Sequence, residues 1–305
     1  MSCARCGCAT QAPCPAGCGL VLFCGKRCKA LAWEDHAAAC AAARPGGRRA
    51  GAAGAACAAP ADAPSLGGAF VCREYATRVF SFPRPPPLPP LEVPLDCLSA
   101  ASTDFDLTGQ IVWPVSRLVA QYLASGPGVA ELLRGARVLE LGAGCGLCGV
   151  AAAALGAAEV VLSDNEPEVL AVLEKNAERP APGGGGGGGC ALRVADFSWG
   201  DGAAAAALGT FPVLLGADVV YWSHCVEPLF ASAAALLAPG GVFVLGFTNR
   251  RNGLREAAEA AARAAGFVWQ VVDLRSGWLD VEDPAFAAQL GVVTLFRMQK
   301  EGGKN

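Results

Sequence analysis

Residues 138–146 read Val-Leu-Glu-Leu-Gly-Ala-Gly-Cys-Gly: a short apolar run, then glycine at three alternate positions. A helical run, Cys145–Leu155, follows at once. A strand that turns into a helix through alternating glycines brings backbone amides close to a ligand at the helix N-terminus. It also forces the chain to continue as strand and helix. Val138–Leu141, Val160–Ser163, Ala191–Val194, Val213–Ala217, Val242–Phe247 and Phe267–Val272 read as buried strands. Glu166–Glu178, Cys225–Leu237 and Leu254–Ala265 read as helices between them. This alternation predicts an α/β, Rossmann-like sheet of parallel strands with helices on both faces. The last apolar run, Val292–Met298, lacks helical spacing and is expected as an edge strand. The seven glycines of Gly183–Gly189 fit no core element and predict a solvent loop.

With 305 residues, 53% of them hydrophobic, the chain can bury one full core and carry a small appendage. The formal net charge of −3 gives no electrostatic footprint for nucleic acid, so no direct nucleic-acid binding is expected. No apolar run reaches membrane-spanning length, and MSCARCGC carries no apolar signal region. The expected location is the cytoplasm, with the nucleus as a second place, and the expected state is a monomer. In a reducing compartment the 15 cysteines read as metal ligands before disulfides, and eight of them fall in the first 40 residues. Residues 1–44 therefore read as a small metal-stapled module, 45–69 as a flexible Ala/Gly/Pro linker, and 70–300 as the α/β domain. The proline run Pro83–Pro90 favours an extended polyproline conformation and a spacer or strand-entry role.

In the module the ligand types run Cys3, Cys6, Cys14, Cys18, Cys24, Cys28, His36, Cys40, mostly paired at separations of two or three residues. One turn can aim such a pair at one ion, and eight ligands suffice for two tetrahedral Zn²⁺ ions. The pattern resembles the MYND zinc finger at all eight positions. That resemblance implies an interleaved arrangement, with Cys3, Cys6, Cys24 and Cys28 on one ion and Cys14, Cys18, His36 and Cys40 on the other. Cys8 is surplus. MYND fingers mostly bind proteins, so the resemblance implies a protein or proline-rich peptide partner for this module. Pro86–Pro90 is itself a P-x-L-x-P string of the kind some MYND fingers bind, although the spacer reading is preferred.

The glycine turn can be read in two registers. Gly144–Gly149 spells G-x-G-x-x-G, the dinucleotide pattern, whereas Glu140–Gly146 spells an acidic residue followed by G-x-G-x-G. A carboxylate at Glu140 would repel a pyrophosphate and suit a cofactor with an ammonium and a sulfonium. Asp164, ending the next strand, can accept both ribose hydroxyls, and Asp196 with Trp199 follows the third strand where an adenine would be lined. The fourth strand runs into Ala217-Asp218-Val219-Val220-Tyr221. Together with Thr108-Gly-Gln-Ile-Val-Trp113-Pro, these residues resemble the seven-strand (class I) S-adenosylmethionine-dependent methyltransferases, and more narrowly the family-16 protein-lysine methyltransferases. The resemblance implies cofactor contacts from Trp113, the backbone of Gly142, Ala143 and Gly144, Asp164, Trp199 and Ala217.

A sulfonium leaves as a neutral sulfide, so methyl transfer needs alignment and a neutral amine rather than an acid. A lysine ammonium must first lose its proton. Asp218 is the candidate to collect it, and Tyr221 the candidate to line the amine channel. The expected activity is methyl transfer to a lysine of a non-histone protein. Alternatives are another acceptor (a protein histidine or arginine, or a small amine) or a non-catalytic adaptor with this fold. A dehydrogenase is the weakest reading.

Overall fold

The computed structural model describes residues 12–13, 22–23, 75–98, 105–179, 190–249, 253–290 and 292–301. Two compact units divide the chain at Val71/Cys72. In the first, β1 (Ala12–Pro13) and β2 (Leu22–Phe23) pair antiparallel. The eight expected zinc ligands, the linker and the seven-glycine stretch lie outside the described residues. Among the described residues no cluster of His, Cys, Asp or Glu could hold a metal ion, and no helix is long and apolar enough to cross a membrane.

The second unit opens with an antiparallel hairpin, β3 (Tyr75–Phe82) and β4 (Leu91–Leu98). The proline run leads into β4, the strand-entry role of the two expected, but it closes the hairpin and does not extend: the Leu88 amide donates to the Pro85 carbonyl at 3.2 Å, and the chain reverses there. A 3-10 helix (Phe105–Gln110), α1 (Pro114–Ser125) and a short α2 (Val129–Leu133) lead into the sheet. The alternation then runs β5 (Arg137–Leu141), α3 (Leu147–Ala154), β6 (Glu159–Asp164), α4 (Pro167–Ala177), β7 (Ala191–Asp196), α5 (Gly202–Leu208), β8 (Phe211–Ala217), α6 (Ser223–Leu236), β9 (Leu237–Thr248), α7 (Leu254–Ala264) and β10 (Phe267–Val271). It closes with α8 (Pro284–Ala287) and β11 (Val293–Lys300).

The seven strands stand in the order β10-β11-β9-β8-β5-β6-β7, all parallel except β11. β11 is not the expected edge strand. It inserts antiparallel between β9 and β10, leaving β10 at the edge. The reason is visible in its burial: Val293 through Phe296 and Met298 are all buried, as for a strand covered on both faces.

Period-two alternation sorts the strands onto two cores. Val138, Val160, Leu162, Val213, Leu215 and Val244 face α1, α3, α4 and the hairpin. Leu139, Val161, Leu214, Phe243, Leu245 and Phe296 face α5, α6 and α7. Each fully buried Leu or Phe contributes about 1.5–3 kcal/mol, and this two-sided burial fixes the sheet. What the fold then leaves uncovered is the edge where β5, β6, β7 and β8 all end.

Candidate functional site

β5 leads through α3 to its neighbour β6, whereas β8 leads through α6 to β9 on the other side. The strand order therefore reverses between β5 and β8, and ligands of such sheets bind in the crevice outside the strand ends at that point. Every residue expected at the catalytic and cofactor sites lies on a loop or strand end at this edge, apart from the side chain of Glu140.

The floor is the turn after β5. Gly142, Gly144 and Gly146 have φ of 64°, 56° and 86°, where side chains are disfavoured. Two of them are also sterically obliged to be glycine. A methyl group on Gly142 would lie 2.8 Å from Val219 Cγ1 and 3.1 Å from Trp199 Cζ2; one on Gly144 would lie 2.9 Å from the Gly109 carbonyl oxygen. The Ala143 amide donates to the Ser163 carbonyl at 2.8 Å, and the Ser163 hydroxyl donates to the Glu140 carbonyl at 2.7 Å, lacing the turn to β6. Gly149, the last residue of the competing dinucleotide register, has an ordinary helical setting. A side chain there would strike Leu162 and the Glu140 carboxylate, so this glycine lets α3 close onto the sheet.

Glu140 is buried beneath the turn rather than facing the crevice. Its Oε2 accepts from the Gly149 amide at 2.7 Å, satisfying one of the donors at the start of α3. Burial pushes its carboxyl up to about 7, against the lowering pull of the Gly149 amide. The expected charge contact with a cofactor is thus replaced by a supporting role under the glycines. A second support comes from Asn176 on α4. Its Nδ2 donates to the carbonyls of Cys145 (2.9 Å) and Asp96 (3.0 Å), and its Oδ1 accepts from the Asp96 amide at 2.7 Å. This ties the glycine turn to the hairpin. Cys145 and Cys148 are buried, with thiols pushed up by burial, and act as small core residues.

One wall is built from the ends of β6 and β7. Asp164 Oδ2 accepts from the Gly144 amide at 3.1 Å, while Oδ1 accepts from Asn165 (2.8 Å) and Glu166 (3.3 Å). Burial raises its pKa, the three amides oppose the rise, and Asp196 reinforces it. Asp196 lies directly opposite Asp164 in register and is exposed. Trp199 packs its ring over Gly142 and against the second core. Trp113 caps α1 beside Pro114 and donates Nε1–H to the Thr108 carbonyl at 2.9 Å. It thereby braces the 3-10 segment, whose Gly109 abuts Gly144.

The opposite wall follows β8. Ala217 and Asp218 are buried. Asp218 is the non-glycine residue with positive φ among those described, at 60°. Its amide donates to the Gly246 carbonyl at 2.8 Å, and its Oδ1 accepts from the Thr248 amide at 3.4 Å. A left-handed aspartate costs on the order of 1–2 kcal/mol, and such strain concentrates at functional sites. Tyr221 is 38% exposed, yet its hydroxyl is pushed up to about 12, first by burial and then by Cys225, Asp164, Glu166 and Asp218. The tyrosine oxygen thus stands within electrostatic reach of both walls. Ser163, Gly109, Glu166 and Asn176 belong to the site and were missed by sequence reasoning. Ser163 and Glu166 flank Asp164 and could have been included with it, and Gly109 lies inside the stretch before Trp113 that the sequence already marked; Asn176 acts across 31 residues, with no local signal.

Residues 96–260 match the family described as lysine methyltransferase. Among curated relatives, protein N-lysine methyltransferase METTL21A of Danio rerio is 37% identical over 135 residues, covering 44% of this chain and 58% of that protein. The calmodulin-lysine N-methyltransferase of Arabidopsis thaliana is 32% identical over 136 residues, covering 44% of this chain and 43% of that one. The chain spans about half the length of these relatives. A methyltransferase structure from Pyrococcus furiosus aligns with a TM-score of 0.42 at 17% identity, over 63% of this chain and 84% of that one.

Proposed function

Because the chain belongs to the lysine methyltransferase family, we propose that it transfers a methyl group from S-adenosylmethionine to a lysine side chain of a non-histone protein. The observation that carries this reading is the crevice at the β5/β8 reversal, with a glycine floor, an acidic wall at Asp164 and Asp196, and Asp218 and Tyr221 opposite.

The residues fit the cofactor. Glycine at 142 and 144 keeps side chains off the floor, where one would collide with Val219, Trp199 or the Gly109 carbonyl. Asp164 keeps one accepting position for a ribose hydroxyl, since three amides occupy three of its roughly four lone-pair positions. Asp196 and Trp199 stand where an adenine edge and face would lie, and Trp113 and the Ala217 backbone close the ends. An edge lined by carboxylates is hostile to a pyrophosphate and favourable to an ammonium and a sulfonium. When bound, the cofactor supplies an electrophilic methyl group on sulfur.

The chain's own residues supply the acceptor's side of the chemistry. Lysine enters as an ammonium and must become neutral. A partly desolvated channel beside Tyr221 favours that loss, and Asp218 takes up the proton at its carboxylate. Tyr221, with its hydroxyl at about 12, stays protonated near neutral pH; its oxygen accepts from the amine N–H and aims the lone pair.

The remaining expectations enter as parts of the same proposal. Residues 1–44 form a MYND finger holding two Zn²⁺ ions and recruiting a protein or proline-rich peptide, joined by a linker at 45–69 to a monomeric, cytoplasmic enzyme. The ligand spacing supports this reading. Metal analysis of the whole chain should return two zinc ions; one or none would remove the interleaved assignment. For the activity, tritiated S-adenosylmethionine and the purified chain are added to lysate from cells lacking it, and the labelled band is mapped by mass spectrometry. Methyl-lysine is the expected product. Methyl-histidine or methyl-arginine would shift the acceptor, and cofactor binding without any label would favour the adaptor reading.

A further inference from the structure

Away from the crevice, a cavity of about 630 Å³ opens between the proline loop, the end of α1 and the segment preceding α8. Its most informative wall is Gln121, 3% exposed. Gln121 Nε2 donates to the Pro83 carbonyl at 2.8 Å and to the Ser125 hydroxyl at 2.7 Å. The Pro83 carbonyl can only accept, so exchanging the amide's nitrogen and oxygen would set two oxygens against each other. The orientation is thereby fixed, and Oε1 is buried on this wall with no hydrogen-bond partner. A buried acceptor of this kind is unfavourable until a donor arrives.

The other walls restrict what that donor can be. Trp278 is held rigidly: Ser125 Oγ donates to its carbonyl at 2.8 Å, its Nε1 donates to the Asp273 carbonyl at 2.9 Å, and its ring meets Tyr122 edge-on at 5.0 Å. Phe286 lines the cavity too, its ring already faced by Arg117, whose Cζ lies 5.7 Å from the centroid, and Asp280 and Asp283 bring two carboxylates. Arg84 is the lining cation, and its Nε is committed to the Pro89 carbonyl at 2.7 Å. A ligand matching this set is flat, cationic and rich in N–H donors.

We propose that this cavity is a recognition site for an arginine side chain presented by a protein partner. A guanidinium offers a donor to Gln121 Oε1, charge to Asp280 and Asp283, and a planar face to Trp278; a compact ammonium offers charge and donors but no planar face. The site is separate from the crevice. Trp113 and Ser125 flank or end the 12-residue α1, which places them about 18 Å apart. The arginine read here is therefore not the methylated residue, and the proposal stands whether or not the chain methylates lysine.

The test uses the full chain, labelled with nitrogen-15, and follows the Gln121 side-chain amide and Trp278 indole signals. The probe is the blocked tripeptide Ac-Gly-Arg-Gly-NH₂, with citrulline, lysine and glutamate in place of arginine as comparisons. Saturable shifts are expected with arginine, at least about tenfold weaker with neutral citrulline and weaker again with glutamate. The Asp280→Asn/Asp283→Asn double variant, both of whose changes keep an accepting oxygen, should fold as the parent and bind arginine about tenfold more weakly. Gln121→Met, whose circular dichroism is checked first, should lose the preference for arginine over lysine. Equal response to citrulline, equal response to lysine in the parent, an unchanged double variant, or no shift at millimolar peptide with only water at Gln121 Oε1 in a crystal would each overturn the proposal. No methyl transfer is measured, so this result is independent of the proposed activity.

Discussion

The two walls of the crevice are built in opposite ways. On the β5/β6 side three polar side chains are tied to backbone: Asp164 takes three amides, Glu140 takes the Gly149 amide, and Ser163 laces the strands. On the β8 side the backbone is strained at Asp218, the carboxylate has a long contact to Thr248, and Tyr221 stands partly in solvent. The first wall is a preformed receptor, the second a poised one. A cofactor that always has the same shape suits the former, and an acceptor that must arrive, lose a proton and leave suits the latter.

The comparison can be broken most forcefully at Asp218. Asp218→Gly removes the carboxylate while accommodating φ of 60°, so folding should survive. Turnover should fall by 10²–10⁴, about 3–5 kcal/mol, with cofactor affinity by calorimetry nearly unchanged and partial rescue at high pH. Loss of affinity in step with turnover would move Asp218 to the receptor wall. Next in size is Gly144→Val, which puts branched carbon against the Gly109 carbonyl at φ of 56°. It should cost roughly 4 kcal/mol in denaturant melts and abolish cofactor binding. A stable variant that binds normally would mean the floor is softer than described.

Glu140 gives the third test. Its folded value of about 7 lies above its ordinary 4.5, so folding favours the protonated form. The stability it confers is fullest below pH 4.5 and declines as pH rises to 7, by about 3 kcal/mol in all. Glu140→Gln should flatten that slope in thermal melts. Asp96, lowered by Thr77 and Arg179, and Glu159, lowered by Arg137, work in the opposite sense and at lower pH. An unchanged slope would show that Glu140 is solvated. Fourth, Asp164→Ala should weaken S-adenosylmethionine by roughly 1.5–3 kcal/mol while leaving the acceptor's KM alone. Smallest, the same Asp218→Gly variant should gain about 1 kcal/mol of folding stability from relieved strain. A loss instead would mean that the Thr248 contact outweighs the strain.

How much of this was readable in advance follows the same division. The glycines and Asp164 were legible because their causes are local: positive φ, close backbone approach, and a carboxylate ending a strand beside amides. The strand–helix alternation was legible for the same reason, with each strand announcing two-sided burial. The hairpin was not, because β3 is exposed along most of its length and its turn is written in prolines that suggest extension. α5, with five consecutive alanines, has no apolar stripe to reveal it; its start is marked only by Asp201, which caps Ala203 and Ala204. The position of β11 depended on pairing with strands more than 20 residues away. Glu140 was found but misdirected. Sequence places a residue on a strand end, and only packing decides whether it looks up into the crevice or down under the turn.

The bridge through Asn176 changes where the domain can be cut. Two of the three hydrogen bonds made by its buried amide go to Asp96, on the second strand of the hairpin. A shortened chain beginning just beyond residue 98 would keep the whole seven-stranded sheet and every crevice residue. It would nevertheless strip Asn176 of its two bonds to Asp96 and the first core of the buried Phe82, Leu91, Val93 and Leu95. The glycine floor would lose its tether by the same cut. The smallest autonomous piece of this domain is therefore set not by its sheet alone but by the hairpin that Asn176 and the first core hold, and it begins near Tyr75.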